Sequence, residues 1–164
     1  MNDVVYTNNK KFENRGSIYT IYDQKSLGIN FVQDKISKSF QGVIRGFHGD
    51  NTTWKLITCL YGKIKLITYN IDTDVKNVYI LNGDDKDSIS VLISPRTLNA
   101  HQCLSSECIF YYKWSEFYTS PSDQWSVNYN DSDISPDWST DFCDIISDRD
   151  KNSGSLKDLK KKIL

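Results

Sequence analysis

Short apolar patches, rich in β-branched and aromatic residues, are separated by clusters of Gly, Asn, Asp and Ser along most of the chain. The main patches are residues 4–6, 17–22, 43–47, 56–60, 64–67, 89–94 and 108–118. Patches of this kind are typical of β-strands. Many short strands with frequent turns are typical of an antiparallel sandwich or barrel. The pattern therefore predicts an all-β domain.

Two segments alternate clearly enough to assign side chains to faces. In residues 63–72 (KIKLITYNID), Ile64 and Leu66 share one face, whereas Lys63, Lys65 and Ile67 share the other. This alternation predicts a strand with one solvent-exposed face. In residues 108–118 (CIFYYKWSEFY), alternation places five side chains on one face: Phe110, Tyr112, Trp114, Glu116 and Tyr118.

Two further segments differ from the buried-strand pattern. Residues 74–88 mix Asp, Lys, Asn and Gly around a short apolar patch, which predicts a hairpin or a surface loop. Residues 154–164 (GSLKDLKKKIL) predict a short C-terminal helix. The lysines in its last turns suit the negative end of the helix dipole.

Length and charge limit the possible functions. A chain of 164 residues fits one domain that buries a core without disulfide staples. The 20 Lys and Arg residues nearly balance the 21 Asp and Glu residues, so a nucleic-acid partner is not expected. No apolar run approaches the roughly 18 residues of a membrane helix, and the polar N-terminus lacks a signal-peptide core. These features predict a cytoplasmic protein without a membrane partner.

The four cysteines, Cys59, Cys103, Cys108 and Cys143, show no CxxC spacing. Three of them lie in or beside apolar strand patterns, so we expect small, reduced core residues. A zinc site or a disulfide is the alternative that this spacing does not favour.

Three side chains with chemical potential follow closely on one another: Arg45, His48 and Lys55. A neutral histidine is a base that works near neutral pH. An arginine can bind a phosphate through its planar guanidinium group, and a lysine can stabilise a developing negative charge. On spacing alone, however, a strand pair whose polar ends face water is the simpler interpretation.

The sequence of residues 30–48, NFVQDKISKSFQGVIRGFH, resembles the motif N-F-V-Q-D-N-x-S-x-S-x-x-G-V-L-R-G-L-H of dTDP-4-dehydrorhamnose 3,5-epimerases. The resemblance implies a cupin fold, a double-stranded β-helix or jelly roll, over about residues 13–150 of a single domain spanning 1–164. It also implies a homodimer in which an N-terminal arm, residues 1–29, reaches toward the partner. Residues 151–164 would form the C-terminal helix.

The resemblance further implies an isomerase that acts on a nucleotide-linked 4-keto-6-deoxy sugar in the synthesis of polysaccharide or glycan precursors. His48 is then the base that removes a sugar proton, with Asp150 as its charge partner. Lys55 is expected to stabilise the enolate oxygen, and Tyr112 to deliver a proton to the opposite sugar face. Without the resemblance, Asp150 would be assigned to a solvated charge run and Tyr112 to an aromatic core.

Five residues are expected, from the same resemblance, to bind the substrate: Arg15, Gln33, Arg45, His101 and Tyr118. Arg45, together with Arg15, would bind the diphosphate, and Tyr118 would stack in the site. His101 lies in a segment that keeps the Pro, Ala and His of a family element but is one residue longer and lacks its Gly. The alternatives are a solvated loop arginine for Arg15 and a structural histidine, bonded to a backbone carbonyl, for His101.

The chain departs from the family pattern in the segment expected to contact the nucleotide, and also at Lys35. Ser17 and Ile18 replace aromatic residues, Thr20 stands at the position of a glutamate, and Lys35 stands where the motif has asparagine. The sequence therefore leaves open the nucleotide, and whether carbon 3, carbon 5 or both are inverted.

Three other cupin functions are alternatives to an epimerase. Metal-using cupins bind their ion with two or three histidines and a carboxylate, whereas this chain has two histidines in all; no metal and no cofactor are expected. Sugar-nucleotide 3,4-ketoisomerases typically carry a second histidine close after the first, where this chain has Asp50. A non-catalytic sugar-nucleotide-binding cupin is the third alternative, and the presence of all four chemical residues argues against it.

Overall fold

Two facing antiparallel β-sheets form the body of the protein in the computed structural model, which describes residues 3–163. Within this range the strands are β1 (Val4–Thr7), β2 (Lys11–Glu13), β3 (Gly16–Ile18), β4 (Gln33–Phe40), β5 (Val43–Gly49), β6 (Lys55–Tyr61), β7 (Lys63–Asn70), β8 (Val75–Asn82), β9 (Ile89–Ile93), β10 (Thr97–Cys103), β11 (Glu107–Trp114), β12 (Trp125–Ser126) and β13 (Ile145–Ile146). The α-helices are α1 (Gln24–Leu27), α2 (Asp148–Lys151) and α3 (Leu156–Ile163). The all-β prediction with a short C-terminal helix is confirmed.

The strands are divided between two sheets that run in a jelly-roll order. Sheet I has the order β1-β9-β6-β11-β4. Sheet II has the order β12-β5-β10-β7-β8, and β13 adds to β5 in parallel. The remaining pair, β2 and β3, forms a separate hairpin. Strands distant in sequence thus become neighbours, which brings β5, β6, β10 and β11 around one interior space.

The space between the sheets is filled at one end by an apolar core. Its buried members are Ile57, Cys59, Ile64, Leu66, Leu81, Val91, Ile93, Cys103, Cys108 and Phe110. The three cysteines in this set are unpaired and buried, whereas Cys143 is exposed. They fill space as small apolar side chains, in agreement with the sequence pattern.

The expectation of one solvent-exposed face on residues 63–72 is wrong. Ile67 is fully buried and Tyr69 is nearly so, because a second apolar cluster covers the outer face of sheet II. The covering residues come from the C-terminal part of the chain: Val127, Ile134, Leu156 and Leu159. Only the first part of β7 has the expected exposure, at Lys63.

Helix α3 is held against sheet II by its apolar side and by a carboxylate at its start. Leu156 and Leu159 are buried, three residues apart on one face. The Asp131 carboxylate accepts a hydrogen bond from the backbone N–H of Leu156 at 2.9 Å and another from Ile134 at 3.2 Å. The contact satisfies a free N–H of the first turn, and the negative charge of Asp131 stabilises the positive end of the helix dipole.

The N-terminal region packs on the chain's own fold through Asn8, which is buried and donates to Ser88. Strand β1 pairs with β9 in sheet I, whereas the hairpin of β2 and β3 exposes Phe12 and Ile18. The patch at residues 17–22 is a strand only through Ile18. Residues 74–88 contain an eight-residue strand, β8, that pairs with β7 as one arm of a hairpin.

The described residues contain neither a membrane-spanning helix nor a cluster of metal-ligand side chains. None of the helices between residues 3 and 163 is long and apolar enough to span a membrane. Over the same residues, no three His, Cys, Asp or Glu side chains are grouped as a metal site.

Candidate active site

A cavity of about 520 Å³ lies between the two sheets and adjoins the apolar core at Phe110. Sheet I contributes side chains from β4, β6 and β11, and sheet II contributes side chains from β5 and β10. Most of the residues predicted from the sequence line it: Arg45, His48, Lys55, His101, Tyr112, Tyr118 and Asp150. The fold therefore gathers residues that are more than one hundred positions apart in the sequence.

His48 and Asp150 form a hydrogen-bonded pair at the cavity wall. Nε2 of His48 lies 2.8 Å from Oδ1 of Asp150. Because an ionised carboxylate can only accept, Nε2 carries the proton and Nδ1 is the basic atom. Nδ1 has no hydrogen-bond partner among residues 3–163. A histidine held in this way is oriented as a general base.

The backbone around Gly46 fixes the second oxygen of Asp150. The N–H of Gly46 donates to Oδ2 at 3.2 Å. Gly46 has a φ of 118°, and a Cβ placed on it would lie 2.7 Å from the Cα of Ala100 and 2.5 Å from the carbonyl oxygen of Asn99. Only glycine fits this close approach of β5 to β10, at the point where their register shifts.

Asp150 itself is set by a short helix. It belongs to α2, whose first turn is capped by Ser147, and the Ser147 hydroxyl accepts from the Asp150 N–H at 3.2 Å. Asp150 is buried, unlike the neighbouring Asp148. Burial by itself raises the pKa of this carboxyl, but hydrogen bonds from His48, Gly46 and Ser147 outweigh it and lower the pKa. Asp150 is therefore a carboxylate at neutral pH.

Lys55 crosses the cavity from sheet I to sheet II. Its Nζ donates to Oδ1 of Asn99 at 3.1 Å and lies 4.7 Å from the centroid of the Trp114 ring. Burial lowers the pKa of Lys55 to about 8, although the carboxylate of Asp50 opposes the shift and the charge of Lys35 adds to it. A buried ammonium with this pKa is a strong, desolvated partner for a negative oxygen.

Tyr112 faces the same cavity from β11, on the wall opposite His48. Burial raises the pKa of Tyr112, and the neighbouring Tyr118 adds to the shift while Arg45 opposes it. The phenol therefore keeps its proton at neutral pH and can donate it. The alternation predicted for residues 108–118 holds as far as Trp114, where β11 ends: Phe110, Tyr112 and Trp114 line the cavity, whereas Glu116 is exposed and does not.

His101 is buried beside the pair but is not bonded to a backbone carbonyl through Nε2. Its ring stacks on Phe110, with centroids 4.0 Å apart and an angle of 10° between planes. Burial, assisted by the charges of Arg45 and His48, lowers the pKa of His101 to about 3. His101 is therefore neutral, and its Nε2 has no partner within residues 3–163.

Two predicted substrate contacts lie outside the cavity. The Gln33 side chain accepts from the backbone N–H of Tyr118 at 2.9 Å and donates to its carbonyl at 3.3 Å. Gln33 therefore positions the segment that carries Tyr118. Arg15 lies in the turn between β2 and β3, where its side chain is 79% exposed and pairs with Glu13. The chain's own fold does not bring Arg15 to its cavity.

Several lining residues were not predicted from the sequence, among them Ser37, Asn99, Trp114 and Arg149. Asn99 holds Lys55, Arg149 is anchored by Ser126 at 2.6 Å, and Ser37 and Trp114 each carry a buried polar atom without a partner in the described chain. Strand alternation is the signal that could have selected Ser37, Asn99 and Trp114, because each lies two residues from another lining residue on the same strand.

Comparisons with known proteins agree on one family. The sequence model of the dTDP-4-dehydrorhamnose 3,5-epimerase family matches residues 1–158. A dTDP-4-dehydrorhamnose 3,5-epimerase of Methanothermobacter thermautotrophicus is 28% identical over 165 residues, covering 94% of this chain and 86% of that protein.

Solved structures show the same likeness. The dTDP-4-dehydrorhamnose 3,5-epimerase of Bacillus anthracis, solved with TDP and PPi bound, is 26% identical, covers 93% of each chain and has a TM-score of 0.83. A 3,5-epimerase of Legionella pneumophila, solved with dTDP-4-keto-L-rhamnose, is 24% identical, covers 99% of this chain and 92% of its own, and has a TM-score of 0.89. The cupin jelly roll expected from the sequence is thereby confirmed.

Proposed function

The chain belongs to the dTDP-4-dehydrorhamnose 3,5-epimerase family, and from this premise we propose that it inverts carbon 3, carbon 5 or both of a nucleotide-linked 4-keto-6-deoxy sugar. The proposal is supported by the family match and by relatives that carry the epimerase name across almost the whole chain. Because those relatives are dTDP-sugar enzymes, dTDP-4-keto-6-deoxyglucose is the first substrate to test.

One observation carries the mechanism: a base and an acid face each other across the cavity. His48 stands on sheet II and Tyr112 on sheet I, so a sugar ring between them is reached from both sides. Inversion needs a proton removed from one face and a different proton added to the other. A single acid–base residue on one side returns the proton to the same face.

The reaction begins at the ketone. The carbonyl at carbon 4 acidifies the hydrogens on carbons 3 and 5, and Nδ1 of His48 removes one of them. The C–H electron pair moves into the carbon–carbon bond, and the carbonyl becomes an enolate. Asp150 holds the imidazole and stabilises its protonated form. Lys55 stabilises the enolate oxygen, where negative charge develops, with Asn99 holding its ammonium in place.

The second half returns a proton from the other wall. The enolate collapses back to the ketone and takes the proton of the Tyr112 phenol on the face opposite His48. The centre is now inverted, while the imidazolium of His48 and the phenolate of Tyr112 exchange protons with water for the next turn. Arg45 binds the diphosphate, and His101, which is neutral and unpaired at Nε2, binds a sugar oxygen. No electrons are transferred, so the chemistry requires no redox cofactor.

The alternatives raised by the sequence are less well supported. Neither the family match nor the relatives' names favour a 3,4-ketoisomerase or a non-catalytic binder. The homodimer and the cytoplasmic location remain predictions. So does a contact of Arg15 with the site of a partner protomer, which depends on the homodimer.

The function is tested by incubating the protein in heavy water with 4-keto-6-deoxy sugars linked to dTDP, UDP, GDP and CDP. We expect deuterium at carbon 3, carbon 5 or both of one of these substrates, read by mass spectrometry and proton NMR. Two deuteriums identify a double epimerase and one identifies a single-centre epimerase. Binding without any deuterium would refute the epimerase function and support the non-catalytic binder.

A further inference from the structure

Lys35 is a cation in the cavity for which the mechanism above has no use. It lies on β4, and its side chain lines the cavity beside Trp114 and Tyr118. Its ammonium makes neither a hydrogen bond nor an ion pair with any residue from 3 to 163. The carboxylate of Asp123, whose charge acts on Lys35, is already bonded by Thr119 and Ser120. Lys35 is therefore available to a ligand.

Two aromatic rings contact the ammonium of Lys35. Its Nζ lies 3.2 Å from the centroid of the Tyr118 ring and 5.0 Å from that of Trp114. Such cation–π contacts are weaker than a bond to an oxyanion. The ammonium also occupies one face of Tyr118, so a nucleobase cannot stack on that face while Lys35 rests there.

Trp114 supplies a second free donor at the same place. Its side chain is 4% exposed, and its indole Nε1 has no hydrogen-bond partner in the described chain. A buried N–H left unpaired is costly, and Trp114 is one of the residues that line the cavity. A ligand oxygen at this point would satisfy it.

The position of Lys55 indicates which group of a substrate these two donors would bind. Lys55 and Lys35 both lie within 5.0 Å of the centroid of the Trp114 ring. The two ammonium nitrogens are therefore no more than about 10 Å apart, which fits a sugar whose oxygen on carbon 4 is held by Lys55 while a group on carbon 1 is held by Lys35. In a nucleotide sugar, the oxyanion at that distance is the phosphate attached to carbon 1.

We propose that Lys35 and the Trp114 indole N–H form an oxyanion subsite that binds the sugar-bearing phosphate of the substrate and thereby selects nucleoside diphosphates over monophosphates. This inference rests on the proposed function, because it uses Lys55 to orient the sugar. On binding, the ammonium leaves the face of Tyr118 for the phosphate. The nucleoside part is not held by Lys35.

The test measures binding without turnover, by calorimetry, for thymidine, dTMP, dTDP and the diphosphates of uridine, guanosine and cytidine. The variants are Lys35→Met and Trp114→Phe, which keeps an aromatic ring but removes the N–H. Lys38→Met is the matched control, because Lys38 lies on the same strand but pairs with Glu107 outside the cavity. Circular dichroism verifies that each variant is folded.

We expect Lys35→Met to weaken binding of the preferred nucleoside diphosphate roughly tenfold, as for loss of a charge-assisted hydrogen bond. Monophosphate and nucleoside binding should stay within about twofold, and Trp114→Phe should show a smaller loss with the same pattern. Lys38→Met should bind like wild type. Equal losses for dTMP and dTDP, unchanged diphosphate binding in Lys35→Met, or no binding of any diphosphate by the wild type would each overturn the subsite.

This outcome is independent of the test of function. A wild type that binds diphosphates through Lys35 but incorporates no deuterium would refute the epimerase function and leave the subsite standing. If Lys35→Met binds diphosphates like wild type while deuterium exchange proceeds, the subsite is refuted and the epimerase function stands.

Discussion

Nε2 of His48 and Oδ1 of Asp150 lie 2.8 Å apart, although 102 residues separate them in the sequence. The second oxygen of Asp150 accepts from the N–H of Gly46, two residues before His48 on the same strand. The carboxylate thus ties the short helix α2 to strand β5 and fixes the imidazole at the same time. Asp150 acts on the reaction through His48, as a positioning residue.

Replacing Asp150 by asparagine tests that role. An amide can donate to Nε2 and so favours the tautomer in which Nδ1 carries the proton, which removes the base from the cavity side. We expect turnover to fall by roughly 10²-fold, measured by NMR on the preferred substrate. Asp148→Asn, at an exposed position of the same helix, is the control and should keep wild-type turnover. Unimpaired turnover in Asp150→Asn would mean that the pair has no part in the reaction.

Tyr112→Phe separates exchange from inversion. Without the phenol, His48 still removes a proton but only His48 can return one, so the centre keeps its configuration. We expect deuterium to enter the substrate at a reduced rate while the epimerised product falls by about 10²-fold or more. Proton NMR couplings distinguish the two outcomes. Inversion at the wild-type rate in this variant would require another acid on that face.

Lys55 should set the alkaline limit of activity. Its pKa of about 8 means that the ammonium is lost as pH rises through that value, and the enolate then loses its stabilising charge. We expect kcat/KM to fall above about pH 8. The carboxylate of Asp50 raises the pKa of Lys55. Asp50→Asn should therefore shift this decrease in kcat/KM to lower pH. If kcat/KM of Asp50→Asn decreased at the same pH as in wild type, Lys55 would be excluded as the group whose titration causes the decrease.

The same lysine should affect stability with the opposite sign. Its pKa is lowered from 10.5 in the unfolded chain to about 8 in the folded protein, so between these values the unfolded chain binds more protons. The free energy of unfolding contributed by this group therefore rises with pH over that range. Urea unfolding of wild type and Lys55→Met, measured at pH 8 and at pH 10, isolates the contribution of Lys55 to the free energy of unfolding. The free energy of unfolding of wild type, relative to that of Lys55→Met, should be higher at pH 10 than at pH 8.

Gly46→Ala tests the close approach of β5 to β10. A Cβ at this position meets the backbone of Asn99 and Ala100 at 2.5–2.7 Å, and a φ of 118° disfavours any side chain. We expect a loss of about 2–4 kcal/mol in the free energy of unfolding. Gly154→Ala is the matched control, because no atom of residues 3–163 lies within 4 Å of its Cβ position. Equal stability of the two variants would contradict the packing described here.

The sequence predicted most of the strands, because alternation of apolar residues is a local property. It could not show that the outer face of β7 is covered, since residues that cover Ile67 and Tyr69 lie more than fifty positions later. Local periodicity describes how a strand divides its side chains between two faces. It does not say which distant segment packs on either face.

The residues of the candidate site also differ in whether the sequence alone could group them. Arg45, His48 and Lys55 are close in sequence and could be grouped by their chemistry alone. Asp150 was selected only through the family resemblance, because a charge run gives no local sign that one of its members is buried. The roles of Asn99 and Trp114 depend on contacts with side chains of other strands, which no pattern within a single strand reveals.

The central claim is that His48 removes the proton, and His48→Gln tests it most directly. The glutamine amide can still donate to Asp150 but cannot accept a proton, and His48 is not a core residue, so the fold should be kept. With the preferred 4-keto sugar nucleotide in heavy water, we predict rapid deuterium incorporation by wild type. Incorporation should be slower by about 10³-fold in His48→Gln, with wild-type nucleotide affinity. Exchange at the wild-type rate in that variant would contradict the mechanism.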